Sequence, residues 1–438
     1  MATLKPEKTD EQALPATFCV MPFVNVHTAT DGTISPCCEF QGSTGNLANM
    51  TVLDAWKGDE LKAVRSAFEA GRPPSACDKC LKREALEGDS LRIQSNRRHE
   101  KWLNQFATTE DATTIAPVAP VSYDLRFSNL CNFKCRSCWH GASSKWFSDG
   151  KAIGVTVGDR AEISSFASVD DFLNQVGPSL DAVEFIYFAG GEPLMMPEHY
   201  ALLESLITLG RTEVRIAYNS NMSRLALRGK SVLDLWSHFP NIDLGASVDG
   251  TGELGAMMRS GFSWDTFVKN VSEVRRVTPH VRINFRITVS IFNIHALPEL
   301  MDALHEECAA SADTILLQSL QDPSHYRTQV LPRSLKKEVA ADLQSYCSFL
   351  PEAFNCSVDE ASDLTRQVCG AIDFMNGQDR SVQLEQFKSV SQKLDELRAE
   401  KTTQLLPHLE PHLHARRLKF LRKAATFLKK LQHATTSS

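Results

Sequence analysis

Residues 129–138 read Asn129-Leu130-Cys131-Asn132-Phe133-Lys134-Cys135-Arg136-Ser137-Cys138, three thiols spaced C-x3-C-x2-C just after an apolar, strand-like run. A structural zinc site is closed by four ligands, and no fourth cysteine lies nearby; His140 follows Cys138 too closely for the usual ligand spacing. An iron–sulfur cube has four irons, so three thiolates from one short loop leave one iron without a protein ligand. The spacing favours such a cluster over zinc or free core cysteines.

Outward from this loop, from Val121 on, short apolar runs alternate with segments of helical period, the pattern of a parallel sheet covered by helices. Strands are expected near 121–129, 182–189, 213–219, 241–247, 281–290 and 313–319, with helices near 168–176, 197–209, 229–237, 264–277 and 296–309. Six strands and five helices suit a barrel or partial barrel, and a flat doubly wound sheet fits the same pattern. The cysteine loop follows the first strand, and chemistry in parallel α/β folds collects at the carboxyl ends of strands.

After the second strand, Phe185-Ile186-Tyr187-Phe188-Ala189 runs into Gly190-Gly191-Glu192-Pro193. Paired glycines let the backbone approach a ligand and take conformations closed to other residues, and Pro193 stiffens the turn that presents Glu192. Taken alone this is also an ordinary strand-to-helix turn. Together, the C-x3-C-x2-C loop and the Gly-Gly-Glu-Pro stretch resemble the signature of the radical S-adenosylmethionine (SAM) superfamily, over about 120–320. The resemblance implies a partial (β/α)6 barrel and a 4Fe–4S cluster on Cys131, Cys135 and Cys138. It also implies that SAM chelates the fourth iron through its methionine amino and carboxylate groups. Gly190, Gly191, Glu192 and Pro193 would then hold the SAM amino group. Ser220, Asn221, Ser247 and Asp249, at the ends of the third and fourth strands, resemble residues that contact its ribose or carboxylate. Arg259 resembles an arginine that pairs with that carboxylate; turn-forming polar residues and a solvated arginine are the plain alternative. Arg286, Thr288, Ser290 and Gln318 are further candidates to line the cavity. The aromatic residue often found before the third cysteine is replaced by Ser137, which leaves Phe133 or Trp139 to face the adenine.

The chain has 438 residues, a formal net charge of −6 and 12 cysteines. That length predicts two or three domains, and the charge carries no global nucleic-acid signature, so no nucleic-acid partner is expected. No apolar run approaches the roughly 18 residues of a membrane span, and the N-terminus lacks a signal-peptide core, so a cytoplasmic protein is expected. The cysteines are too sparse for a disulfide scaffold and grouped in a way that favours metal or redox chemistry.

Residues 14–100 read as a separate module holding Cys19, Cys37, Cys38, Cys77 and Cys80. A hairpin around Asp31-Gly32 would bring Cys19 and Cys37 to one end, and a helix over 52–71, with Leu53, Trp56, Leu61, Val64 and Phe68 on one face, would return the Cys77-x2-Cys80 pair to them. By ligand count alone this is a structural zinc pattern. The arrangement C-x12-G-x4-C, gap, C-x2-C is also similar to the twitch domain, a shortened SPASM domain, and that resemblance implies an auxiliary 4Fe–4S cluster on Cys19, Cys37, Cys77 and Cys80, with Cys38 spare. In better known relatives this domain follows the barrel; here it precedes it.

Residues 101–120 are expected to be a linker, 121–330 the partial barrel and 331–438 a helical extension ending in a basic amphipathic helix over 412–433. Cys308, Cys347, Cys356 and Cys369 have irregular gaps and read as core or surface thiols. The resemblance implies an enzyme that cleaves SAM reductively to a 5'-deoxyadenosyl radical and abstracts hydrogen from a peptide or small-molecule substrate. A net oxidation is expected, with the auxiliary cluster as electron acceptor and a reductant protein such as flavodoxin or ferredoxin as partner. No leader-recognition domain is visible, and 1–13 is too short to hold one. The rival reading is a non-catalytic metal-binding or redox-sensing protein with structural zinc or iron–sulfur sites.

Overall fold

The six apolar runs of the central region become parallel strands because each alternates large buried residues with residues that face a polar interior. The computed structural model describes residues 14–87, 89–109, 116–155 and 157–413. In chain order the strands are β1 (Asn25–Thr28), β2 (Thr33–Ser35), β3 (Gly45–Asn46), β4 (Ser122–Leu125), β5 (Lys134–Cys135), β6 (Phe185–Phe188), β7 (Arg215–Ser220), β8 (Ala226–Leu227), β9 (Lys230–Ser231), β10 (Ile242–Ser247), β11 (Arg259–Ser260), β12 (Arg282–Val289) and β13 (Ile315–Ser319). One open sheet runs β13-β12-β10-β7-β6-β4-β1-β2-β3, while β5 pairs with β11 and β8 with β9. The stretch β4 to β13 is the six-stranded parallel half barrel, and it does not close.

One face of this sheet is the core. Ile186, Phe188, Ile216, Tyr218, Leu244, Ala246, Phe285 and Ile287 are at most 1% exposed and pack under helices Pro197–Thr208, Val232–Trp236, Trp264–Val277 and Leu297–Cys308. Polar tips that enter this core meet one another: the Tyr218 hydroxyl lies 2.9 Å from His199 Nε2 and accepts the Trp236 indole N–H at 3.1 Å, while His199 Nδ1 has no hydrogen-bond partner among the described residues. Serine hydroxyls at Ser168 and Ser263 cap the helices that follow them, which ends each loop at a defined residue.

Two features extend the expected plan. β1, from the N-terminal module, pairs in parallel with β4 at Asn25↔Ser122 through Thr28↔Leu125, so the module continues the sheet. The physical reason is the unpaired edge that a half barrel leaves at its first strand, whose N–H and C=O groups need partners. The expected linker also begins as structure: helix Glu100–Ala107 covers its first seven residues and buries Phe106 completely against Phe18 and Phe23. The helix expected over 52–71 is two, Val52–Lys57 and Asp59–Glu69, because Gly58 between them is extended.

Downstream of the barrel, helices Arg333–Ala353, Val358–Gly377, Leu384–Arg398 and Thr402–Leu405 form the extension. The basic helix expected over 412–433 lies outside the described residues from 414 on. Among the described residues, no helix is long and apolar enough to cross a membrane.

Candidate functional site

The loop after β4 places Cys131 and Cys135 at 7% and 6% exposure, with Cys138 half-buried one turn on. Cys138 N–H donates to Cys135 O at 3.0 Å, and Phe133 N–H points at Cys131 Sγ at 3.4 Å, so the backbone curls around the thiols. The Cys135 and Cys138 thiols hydrogen-bond to each other; the shared proton holds Cys135 down, to about 7, and pushes Cys138 well up. Burial pushes Cys131 up to about 12, with Cys135 and Glu192 adding to it. Three neighbouring buried or half-buried thiols, two of them hydrogen-bonded to each other, fit an iron–sulfur ligand set. His140 is committed elsewhere: Gly158 N–H donates to its Nδ1 at 3.2 Å, and its Nε2 lies 2.9 Å from Ala161 O.

Glu192 is 1% exposed at the end of β6. Its carboxylate accepts from Leu194 N–H (3.1 Å), Ser220 Oγ (2.8 Å) and Asn221 N–H (2.6 Å). Burial raises its pKa, and these three donors oppose the rise. A carboxylate has about four acceptor positions, so one remains for a further donor. The Asn221 amide lies 3.8 Å from Cys131 Sγ and 3.0 Å from Asn132 Oδ1, which joins the Glu192 cage to the cysteine loop. Gly191 also has a packing use. Gly191 sits at φ +54° with its backbone against the 128–130 chain, where a Cβ would collide with Leu130 O and stand 2.8 Å from Ser128 O; Glu192 N–H then donates to Leu130 O at 2.9 Å. The Gly-Gly-Glu-Pro turn is thus locked to the loop that carries the cysteines.

Arg259 enters through the small β5–β11 ladder, in which it is the register partner of Cys135. Its Nη1 donates to Asp249 Oδ2 at 2.9 Å, while its buried Nε has no hydrogen-bond partner. Asp249 also accepts from Thr288 N–H at 2.8 Å, so the ion pair is anchored to β12. Burial works against the charge on Arg259, but Cys135, Asp249 and Cys138 raise its pKa overall. The orphaned N–H suits a carboxylate or another anion. Ser247, half-buried at the end of β10, makes no side-chain hydrogen bond among the described residues. Phe133 is packed edge-on against Phe262, whereas Trp139 is 66% exposed, so Trp139 is the freer of the two aromatic rings.

The third cysteine loop neighbour comes from far downstream. Arg136 is 1% exposed and its Nη2 is bonded to Asp395 Oδ1 (2.5 Å) and Glu400 Oε2 (2.6 Å) of the C-terminal extension. Asp149 takes Lys134 at 3.3 Å and Arg398 Nε at 2.8 Å, and Trp146 Nε1 donates to Cys135 O at 2.6 Å. The extension therefore clamps the cysteine loop from behind. An arginine set between two cysteines was a visible signal, but its acidic partners lie more than 250 positions away.

In the N-terminal module, Cys19, Cys37, Cys77 and Cys80 border one cavity with Phe40, Phe68, Leu81 and Arg92. Burial pushes Cys19 and Cys77 up to about 12 and raises Cys37 and Cys80 as well. Among the described residues, no three His, Cys, Asp or Glu side chains meet at a single-ion point. Four thiols bordering one apolar cavity fit the ligand set of an iron–sulfur cluster. Cys38 turns away from this cavity and hydrogen-bonds to Asp124 of β4. Of the remaining thiols, Cys308 is core and Cys369 is exposed.

Residues 125–304 match the profile of the radical SAM superfamily, and residues 19–81 match that of the SPASM iron–sulfur cluster-binding domain. Among solved structures, Streptococcus suis SuiB bound to S-adenosylmethionine is similar at 13% identity and TM-score 0.36, covering 65% of this chain and 60% of its own. Native anSMEcpe with bound AdoMet is similar at 18% identity and TM-score 0.37, covering 59% of this chain and 62% of its own. The chain thus spans about three fifths of the length of these structures. The radical SAM domain implies SAM and a 4Fe–4S cluster, and the SPASM domain implies an auxiliary iron–sulfur cluster. Residues 125–304 thus form a radical SAM domain, and residues 19–81 form a SPASM domain that precedes it.

Proposed function

We propose that this protein is an oxidative radical SAM enzyme whose substrate is a peptide or a small molecule. The observation that carries the reading is the convergence of three separate loops: Asn221 joins Cys131 to the Glu192 cage, and the β5–β11 ladder sets Arg259 beside Cys135. When bound, the cluster and SAM supply one-electron cleavage to methionine and a 5'-deoxyadenosyl radical that abstracts hydrogen. The chain's own residues bind, orient and shield. Cys131, Cys135 and Cys138 hold the cluster. The free acceptor position of Glu192 takes the SAM amino group, with Gly190, Gly191 and Pro193 setting its direction, and Arg259, steadied by Asp249, takes the carboxylate. Ser220, Asn221 and Ser247 face the ribose side. Cys19, Cys37, Cys77 and Cys80 would hold the auxiliary cluster, which, with no iron left open, would supply an electron acceptor for the substrate radical. We place the functional divisions at 14–100 for the auxiliary module and 121–330 for the barrel, with a protein reductant of the flavodoxin or ferredoxin type.

Anaerobic reconstitution with iron and sulfide tests the reading. About eight irons per chain are expected, with 5'-deoxyadenosine formed from SAM under dithionite. Replacing Cys131, Cys135 and Cys138 together by Ala should abolish cleavage. A protein that binds zinc in these sites and never cleaves SAM would be a redox-inert metal protein instead.

A further inference from the structure

The second face of the sheet holds guanidinium groups that lie outside the residues assigned above to SAM. Register partners in a parallel sheet project to the same side. The pairs Asp124↔Tyr187, Tyr187↔Ala217, Asn219↔Gly245 and Ser247↔Arg286 therefore set Asp124, Tyr187, Asn219 and Arg286 on one face, opposite the apolar core. Gly245 makes room there: a Cβ at that position would collide with Arg286 Nε and Asn219 Oδ1, so the glycine lets the Arg286 guanidinium lie across the strands. Arg98, from helix Leu91–Arg98, reaches the same face with its guanidinium 4.7 Å over the Phe185 ring. Arg126 starts against Gly190, whose Cβ would stand 2.7 Å from Arg126 Cβ, and places its Nε 3.4 Å from Asp124 Oδ1. It thus links this face to the Gly-Gly-Glu-Pro turn.

Charge on the face is unbalanced. Three guanidiniums, Arg98, Arg126 and Arg286, meet one carboxylate, Asp124, which also takes His27 Nδ1 at 3.1 Å. Asp243 lower on the face is already shared between Arg215 (2.8 Å) and Arg282 (2.7 Å). Among the described residues, Arg98 and Arg286 have no ion-pair or side-chain hydrogen-bond partner, although both are accessible. Burial lowers the pKa of Arg98, and the neighbouring Arg215 adds to that. Guanidiniums gathered on one sheet face without carboxylate partners of their own are suited to hold an oxyanion. Tyr187 adds a hydroxyl donor among the same groups.

We propose that Arg98, Arg126, Tyr187 and Arg286 form the substrate-binding surface and that it selects substrates carrying an anionic group, a carboxylate or a phosphate. The proposal rests on the radical SAM reading, since the surface is a substrate site only if the Gly190 turn beside it holds SAM. The test uses full-length, cluster-reconstituted protein at fixed ionic strength and saturating SAM, titrated calorimetrically with succinate, with inorganic phosphate and with uncharged succinamide. Saturable binding of succinate or phosphate, but not succinamide, is expected; which anion binds tighter identifies the group. Arg286→Gln and Arg98→Gln should each weaken that binding at least tenfold, with Arg286→Lys between wild type and Arg286→Gln, since a point charge lacks the fork. Equal binding of succinamide, no binding of either anion, or an unchanged affinity in Arg286→Gln and Arg98→Gln overturns the proposal. If Arg286→Gln fails to retain iron, Arg286→Lys and Arg98→Gln carry the comparison. SAM cleavage by the wild-type protein is read in the same preparation: its absence overturns the radical reading while the anion titration still stands or falls by itself.

Discussion

Glu192 shows how much a single side chain can be constrained before any ligand arrives. Three protein donors hold its carboxylate, one of them the backbone of Asn221, whose side chain touches Cys131. Glu192→Gln keeps the shape but removes the charge, and a hydrogen bond to a charged partner is worth about 1.5–3 kcal/mol. Weaker SAM binding by roughly 10- to 150-fold is therefore expected by calorimetry on reconstituted protein. An unchanged dissociation constant would remove Glu192 from the SAM site. At this scale the sequence was legible where chemistry is local. The thiols at 131, 135 and 138 and the turn at 190–193 are short, ordered strings, so their residue types announce themselves. Their contacts were not: Gly191 reads as a ligand-approach glycine, and its packing against Leu130 O and Ser128 O is visible only in three dimensions.

Among elements, the helix Leu384–Arg398 and the residues after it are tied to the cysteine loop by ionic contacts that flank the three thiols. Arg136 depends on Asp395 and Glu400 for its charge balance, and its Nε and Nη1 are buried without partners. Removing the partners of a buried charge costs about 3–5 kcal/mol. The double variant Asp395→Asn, Glu400→Gln should lose that much stability in anaerobic urea unfolding, and adding Arg136→Met should recover most of it. Failure of the third substitution to restore stability would show that the acidic pair acts on something other than Arg136. The auxiliary module makes a separate prediction. Cys77→Ala with Cys80→Ala should leave about four of eight irons per chain by colorimetric assay, with SAM cleavage retained, because the two thiol sets belong to different elements. Loss of all iron would mean that the two sites assemble as one. Elements with strong periodicity were legible: the strand at 282–289 and the helix at 264–277 stand where their patterns put them. Gly58 shows the opposite case, a single residue that divides an amphipathic run into two helices.

For the molecule as a whole, buried histidines set the response to acid. Burial pushes His199 down to about 3 and His99 down to about 4, each below the ordinary 6.5. Below pH 6.5 the unfolded chain binds protons that the folded chain refuses, so stability falls as pH drops from about 6.5 toward 4 and is fully retained above that window. Each histidine contributes a slope of up to about 1.4 kcal/mol per pH unit. Urea midpoints at pH 7.5 and 5.5 should differ accordingly, and His199→Gln should remove one histidine's share; an identical pH slope in that variant would contradict the assignment. By itself the sequence determined the parallel α/β core, both cysteine groups and the glycine turn, because each is written in neighbouring residues through hydrophobic period and ligand spacing. Only the tertiary structure decided that β1 completes the sheet edge at β4, that the C-terminal extension braces the cysteine loop, and that Arg98, Arg126 and Arg286 share one sheet face. These depend on strand register and on burial between segments far apart in the chain, and a linear pattern carries neither.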